Sequence, residues 1–398
     1  KTAEVYKEIT DKVLDKENGL SGKIYSMFKG NQFIMYVYKT YRDIRLVGAP
    51  PESVGKFGGD TDNWEWPRHT CDFSVFRVYA DKSGKPADYS TDNVPLKPKH
   101  SLPISIKGIK DGDFAMIYGY PGGTNRYETS YGVKLKNEIE NPTLVGLRDV
   151  RLKLMHEEMI KDPAVKLKLA SNYAGTANYW KFFEGETKQL IKFRTYEQKQ
   201  AYENNFSTWA KGKSEYENLF TEYAKNYETW TPYSKHRQYI NEGILGSPLA
   251  AFAAQLIALE AALNKSGSAA ADIKKAIDAA SANRKAFLEA EDKVSDQKII
   301  AATSMMYYNN VDPSQHPVGY FDVIKSVYGD LNDEGAFRRM SKDMMSKTMI
   351  LDDAKWDAFI ANPDVKVLQA DPAFIYVAPL LKNYNTKYAP LYTEKKKK

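Results

Sequence analysis

The sequence predicts an α+β protein, with a β domain over residues 1–125 and a large all-α domain over residues 126–398. Three observations predict it. Between Lys23 and about Tyr120, short aromatic and β-branched runs are broken by turn residues, which is the pattern of strands. After Tyr127 the apolar residues recur at helical spacing, and they do so to the end of the chain. The two patterns do not alternate, so an antiparallel sandwich or barrel followed by helices fits better than a parallel sheet.

Within the β part, "KIYSMFKGNQFIMYVYKTYRDIRLVGAP" holds two runs split by Gly30-Asn31, the signature of a hairpin turn. Further strands are expected at "DFSVFRVYA", "LPISI" and "DFAMIYGYP". The switch to helix falls near residues 121–135. "NPTLVGLRDVRLKLMHEEMIKD" opens the helical part. "SPLAAFAAQLIALEAALNKSG" has Ser247 placed as N-cap, Pro248 at the first helical position and Gly267 as stop. Helical pattern continues through "ADIKKAIDAASANRKAFLEAEDKV", "FDVIKSVYG", "EGAFRRMSKDMMSKTMI" and "AKWDAFIAN". No internal repeat of fixed period is visible.

Composition narrows the function. With 398 residues, 42% hydrophobic and 27% charged, the chain can bury a sizeable core. The net charge of +6 is dispersed, and its only run is Lys395 to Lys398, a solvated tail, so no nucleic-acid partner is expected. Cys71 is the single cysteine, which excludes an intrachain disulfide and any multi-cysteine metal site. No run reaches the 18 apolar residues that a membrane-spanning helix needs. The chain opens KTAEVYKEIT without an initiator methionine, as a processed or internal piece of a longer protein does.

Common catalytic signatures fail. There is no P-loop, and "YGYPGGTNRY" lacks dinucleotide-site spacing. His156 in "HEEMI" has no second histidine four residues on. His69, His100, His156, His236 and His316 are scattered, without metal-ligand spacing, and read as surface or core residues. No G-x-S-x-G occurs, and Ser247 is explained by its capping position. What remains is "GGDTDNWEWPRHTCDF", Gly58 to Phe73. Asp72 stands at the entry to a strand, where a carboxylate can orient a histidine ring or simply cap a turn. Asn63 and Trp64 can line a pocket, or Trp64 and Trp66 can be core aromatics beneath the glycine-rich loop.

"RLVGAPPESVGKFGGDTDNWEWPRHTCDFSVFRVYADKSGKPADYS", "GYPGGTNRY" and "ASNYAGTANYWK" together resemble the bacterial dipeptidyl peptidases of the type 7 and type 11 group. The resemblance is strong from about Val37 to Lys181. It implies a serine exopeptidase whose chymotrypsin-like antiparallel double β-barrel carries an inserted helical domain that caps the cleft. It makes the aspartate of the "HT-x-DF" pattern, here Asp72, the acid of a Ser-His-Asp triad. The Asn-Trp pair of "DTDNW", Asn63 and Trp64, then holds the substrate's free amino terminus, and so does Asn178 of "ANYWK".

Two positions depart from the family pattern: Cys71 replaces a usual glycine, and Glu65 replaces a commoner apolar residue. The family's histidine and serine belong to segments before Lys1 and after Lys398, so the chain looks like a middle fragment. The resemblance implies oligopeptide substrates, a periplasmic or cell-surface location and no cofactor or metal, and it is compatible with a homodimer. The alternative is a non-catalytic peptide-binding relative that keeps the amine pocket.

Overall fold

The computed structural model describes residues 2–14, 19–116, 125, 127–265 and 270–397. Contacts divide the chain into two units, Lys1–Gly122 and Gly123–Lys398. The architecture is α+β with a large helical unit.

The first unit begins with a helix the sequence did not announce, α1 (Thr2–Val13). Exposed ion pairs one turn apart, Lys7–Asp11 and Lys12–Glu8, support it locally. The expected hairpin follows: β1 (Leu20–Met27) pairs antiparallel with β2 (Gln32–Lys39), Met27 opposite Gln32. Its turn is wider than a two-residue loop. Residues 28–31 close it, because the Phe28 carbonyl accepts both the Asn31 N–H (3.3 Å) and the Asn31 side-chain amide (2.8 Å). Gly30 takes φ +92°, which a glycine adopts without penalty.

A second sheet joins β3 (Ile44–Gly48), β4 (Val75–Ala80) and β5 (Val94–Pro95), all antiparallel, with a bulge between Leu46 and Gly48. Buried Asp43 anchors it. Arg45 grips the Asp43 carboxylate with two nitrogens, Nε at 3.0 Å and Nη2 at 2.8 Å. Asn93 adds a third donor at 2.9 Å, and the Asp43 carbonyl accepts the Tyr79 N–H on β4. The Arg45 guanidinium lies over the Tyr79 ring at 3.7 Å. Hydrogen bonds from Arg45, helped by Asn93 and opposed by burial, hold the Asp43 carboxyl down at about 2.

One expected strand does not form, and a second lies mostly outside the described residues. "LPISI" carries no regular structure, and Leu102, Ile104 and Ile106 stand exposed. A strand exists only through its neighbour's hydrogen bonds, no described strand pairs with this segment, and Pro103 has no N–H to give. Of "DFAMIYGYP", residues 113–116 are irregular and the remainder lies outside the described residues, as does most of "GYPGGTNRY". The strand in "DFSVFRVYA" starts only at Val75.

The second unit contains α3 (Ser130–Leu135), α4 (Asn141–Met159), α5 (Pro163–Lys192), α6 (Thr195–Ala210), α7 (Leu219–Gln238), α8 (Pro248–Asn264), α9 (Ala270–Ala290) and α10 (Lys293–Asn310). It continues with α11 (Tyr320–Tyr328), α12 (Glu334–Lys347), α13 (Asp353–Ala361), α14 (Val365–Ala370), α15 (Pro372–Asn383) and α16 (Ala389–Lys397). Side-chain caps start many of them. Ser247 Oγ accepts the Ala250 N–H at 3.1 Å with Pro248 behind it, as the sequence indicated, while the stop at Gly267 lies outside the described residues. Asp162, Asp292, Asp333, Asp352, Asp364 and Asp371 cap α5, α10, α12, α13, α14 and α15. Each such cap is worth about 1 kcal/mol.

Helix α8 is apolar nearly all round, and such a helix belongs inside. Leu249, Phe252, Ala253 and Leu256 pack in one core with Ile300 and Tyr307 of α10, Phe337 of α12 and Val377 of α15. No single described helix is long and apolar enough to cross a membrane.

Candidate functional site

Residues 49–74, between β3 and β4, form one closed loop. Pro51 leads into a single turn, α2 (Glu52–Gly55), whose first carbonyl partner is Pro51 O, bonded by the Val54 and Gly55 N–H groups at 2.9 Å. The chain then turns tightly. Gly59 N–H reaches Lys56 O (2.9 Å), Asp62 N–H reaches Gly58 O (3.2 Å), and Glu65 N–H reaches Asp62 O (3.1 Å). Gly58 is needed here, since a Cβ on it would lie 2.2 Å from an Asp62 side-chain oxygen. Gly59 adopts φ +57°. Lys56 and Asp60 pair across the turn at 2.7 Å. The return limb is tied by the Cys71 N–H to the Val54 carbonyl at 3.2 Å, which brings the Cys71–Asp72 peptide back to α2.

On this loop Asn63 is half-buried and Trp64 is 57% exposed. Trp64 has φ +62°, in the left-handed region that a bulky side chain rarely enters and that costs about 1–3 kcal/mol. Trp66 is 91% exposed, so neither tryptophan is a core aromatic; that reading of the sequence is corrected. The reason is geometric: the successive turns from Lys56 to Glu65 use their backbone bonds among themselves, and both rings stand exposed. Cys71 and His69 are exposed as well. Asp72 is exposed in the extended limb ahead of β4.

The structure therefore brings Asn63, Trp64 and Asp72 onto one loop. Asn178 belongs to the helical unit, half-buried on α5 beside the buried residues Thr176 and Ala177. Among the described residues no cluster of histidine, cysteine or carboxylate side chains is arranged to hold a metal. His236 and His316 are packed within the aromatic core around Tyr307. Burial, with His316 nearby, pushes the His236 imidazole down to about 4. The sequence alone did not reveal the Asp43–Arg45–Asn93 anchor of the sheet. Its only local sign was Asp43 and Arg45 two residues apart, on the same side of an extended segment.

Residues 1–397 match the family model described as Peptidase S46. The chain belongs to the peptidase S46 family. Among its S46 relatives, an Asp/Glu-specific dipeptidyl-peptidase of Flavobacterium psychrophilum is 37% identical over 388 residues, covering 95% of this chain and 52% of that protein. A dipeptidyl-peptidase 7 of Phocaeicola vulgatus is 36% identical over 374 residues, covering 92% of this chain and 50% of the relative. The solved structure of Porphyromonas endodontalis DPP11 in complex with the dipeptide Arg-Glu superposes with a TM-score of 0.76 at 29% identity, over 98% of this chain and 55% of that one. The chain spans about half the length of the curated relatives it matches.

Proposed function

We propose that this chain is the aspartate-bearing and amine-anchoring portion of a serine dipeptidyl peptidase that releases dipeptides from the free amino terminus of oligopeptides. In this reading Asp72 accepts a hydrogen bond from the ring of a histidine base, fixes its tautomer and stabilises the imidazolium formed as a serine attacks the second peptide bond. The histidine and the serine are assigned to parts of the enzyme beyond these 398 residues, within a chymotrypsin-like barrel to which the small antiparallel sheets belong. Asn63 and Trp64 hold the substrate ammonium, and Asn178 supplies a further acceptor. A free ammonium leaving water must find acceptors, and amide oxygens provide them without adding a second buried charge.

The observation that carries this reading is the closed loop of residues 49–74. Asn63, Trp64 and Asp72 all belong to it, with a left-handed backbone at Trp64, in a chain that matches peptidase S46 over residues 1–397. The test uses the whole enzyme with matched peptides bearing a free or an acetylated amino terminus. Asn178→Ala and Asn63→Ala are expected to erode the preference for the free amine by about tenfold or more, the scale of a lost hydrogen bond to a charged group. Variants that keep the parent's preference would sink the amine-anchor assignment. A panel varying the second residue between acidic and apolar side chains assigns the preference at the cut.

A further inference from the structure

Helix α5 is 30 residues long, about 45 Å at 1.5 Å per residue, yet only Leu169, Thr176 and Ala177 on it are buried. Val165, Leu169, Tyr173, Ala177 and Trp180 seat one face of the helix in an apolar cluster, and polar contacts add directional pins to it. One pin lies two residues from Asn178. Arg148 of α4, with its side chain 12% exposed, donates Nη1 to the Thr176 carbonyl at 3.3 Å and Nη2 to Glu242 Oε1 at 2.6 Å. Its guanidinium also faces the rings of Tyr179 at 5.5 Å and Phe183 at 6.0 Å. Thr176, Tyr179 and Phe183 recur at i, i+3 and i+7, so one arginine reads one face of α5 over two turns.

Glu242 is itself held firmly. Its second oxygen takes Arg151 Nη1 at 3.2 Å, so two guanidinium groups from successive turns of α4 close on one carboxylate. That carboxylate is carried on a π-helical stretch, Tyr239–Ile244, between α7 and α8. Wide turns of this kind cost regular helix geometry and recur where a side chain must be aimed.

We infer that Arg148, clamped by Glu242, is the positioning residue that sets the rotation of α5 at Asn178. The inference rests on the reading of Asn178 as an amine anchor. Arg148 does not touch substrate; it fixes the helix that presents the residue that does. Loss of Arg148 leaves Glu242 paired with Arg151, so no buried carboxylate is stranded and the unit keeps its fold. What is lost is the grip on the Thr176 carbonyl and on the Tyr179–Phe183 face.

The experiment is a double-mutant cycle in the whole enzyme, with kcat and KM measured on a free-amine peptide. Arg148→Ala is expected to raise KM by about tenfold or more while kcat stays within about twofold, because the ammonium is held equally in ground and transition states. Arg148→Lys, which keeps the charge and one donor, restores part of the loss. In an Asn178→Ala background, Arg148→Ala adds less than about twofold, because the residue it aims is already gone. Should Arg148→Ala fail to fold, Glu242→Gln carries the test with the same KM-selective pattern. Full additivity in the cycle overturns the inference, as does an unchanged KM in Arg148→Ala. An unchanged KM in Asn178→Ala alone overturns instead the amine-anchor reading, and the inference with it.

Discussion

Two aspartates, one in each unit, show what burial does to an acid. Asp72 stands exposed at the end of the 49–74 loop, open to a partner. Asp296, on α10, is buried: its Oδ2 accepts the Leu249 N–H at 2.9 Å in the first turn of α8. Burial pushes the Asp296 carboxyl up. Burial and the facing Asp296 push Glu291 higher still. Both Glu291 oxygens and Asp296 Oδ1 are buried without a donor. Two such carboxyls can face each other only through a shared proton. An acid that serves another group must be reachable, whereas an acid that joins helices must be sealed in and partly neutralised. The difference separates a candidate catalytic residue from a structural one, although both are aspartates beside a chain turn.

The largest expected effect tests the exposed member. Asp72→Asn in the whole enzyme should lower kcat by about 10⁴-fold, the scale of a triad whose histidine is left in the wrong tautomer. Thermal stability should stay close to the parent's, since the carboxylate is exposed and the substitution is isosteric. Turnover near the parent's value, measured on a free-amine peptide, removes Asp72 from the triad.

Next comes the contrast in packing. Phe337 is fully buried at the centre of the helical core, and Trp66 is almost fully exposed on the loop. Phe337→Ala should cost about 3–5 kcal/mol of stability, and Trp66→Ala no more than about 0.5 kcal/mol. Chemical denaturation of both variants measures this. A large loss at Trp66 means that another surface covers the loop in the whole protein.

A third variant addresses the sealed pair. The folded state keeps a proton on Glu291 at pH values where the unfolded chain has released it. The folded form thus binds more protons, and stability falls as pH rises above the ordinary glutamate value of about 4.3. Glu291→Gln supplies the hydrogen-bond donor permanently and removes this dependence. Denaturation midpoints at about pH 5, 7 and 9 should fall more steeply for the parent than for the variant. Parallel curves would mean that no proton is shared. His236 acts in the opposite sense: held neutral with its imidazole down at about 4, it costs stability as pH falls below about 6.5.

How far the sequence could be read followed the range of each interaction. Ser247 was legible as a cap because its partner, Ala250, is three residues on. The hairpin was legible because both strands lie within three residues of Gly30. "LPISI" misled because a strand is defined by a partner that the run of residues does not name. The Asp43–Asn93 bond spans 50 positions and the Arg148–Glu242 pair spans 94, so neither had a local signature. The loop of Asn63, Trp64 and Asp72 was legible as a family pattern. Its exposed rings and left-handed Trp64 were not, because they follow from turns whose hydrogen bonds only the folded loop defines.

The smallest effect is also the one that ties strain to function. Trp64 holds φ +62° in a loop otherwise built with glycines at its left-handed position, Gly59. Glycine at residue 64 would adopt that backbone without strain, although it would also enlarge the unfolded ensemble by freeing a more flexible residue. Since the ring is largely exposed, little packing is lost, and Trp64→Gly should change stability by about 1 kcal/mol or less, in the stabilising direction if strain prevails. The same variant should raise KM for free-amine peptides, because the indole that borders Asn63 is gone. A strained residue kept for binding predicts both results together: equal or better thermal stability with weaker substrate binding. A variant that is clearly destabilised and binds substrate as the parent does would show that Trp64 is held in place for the fold alone.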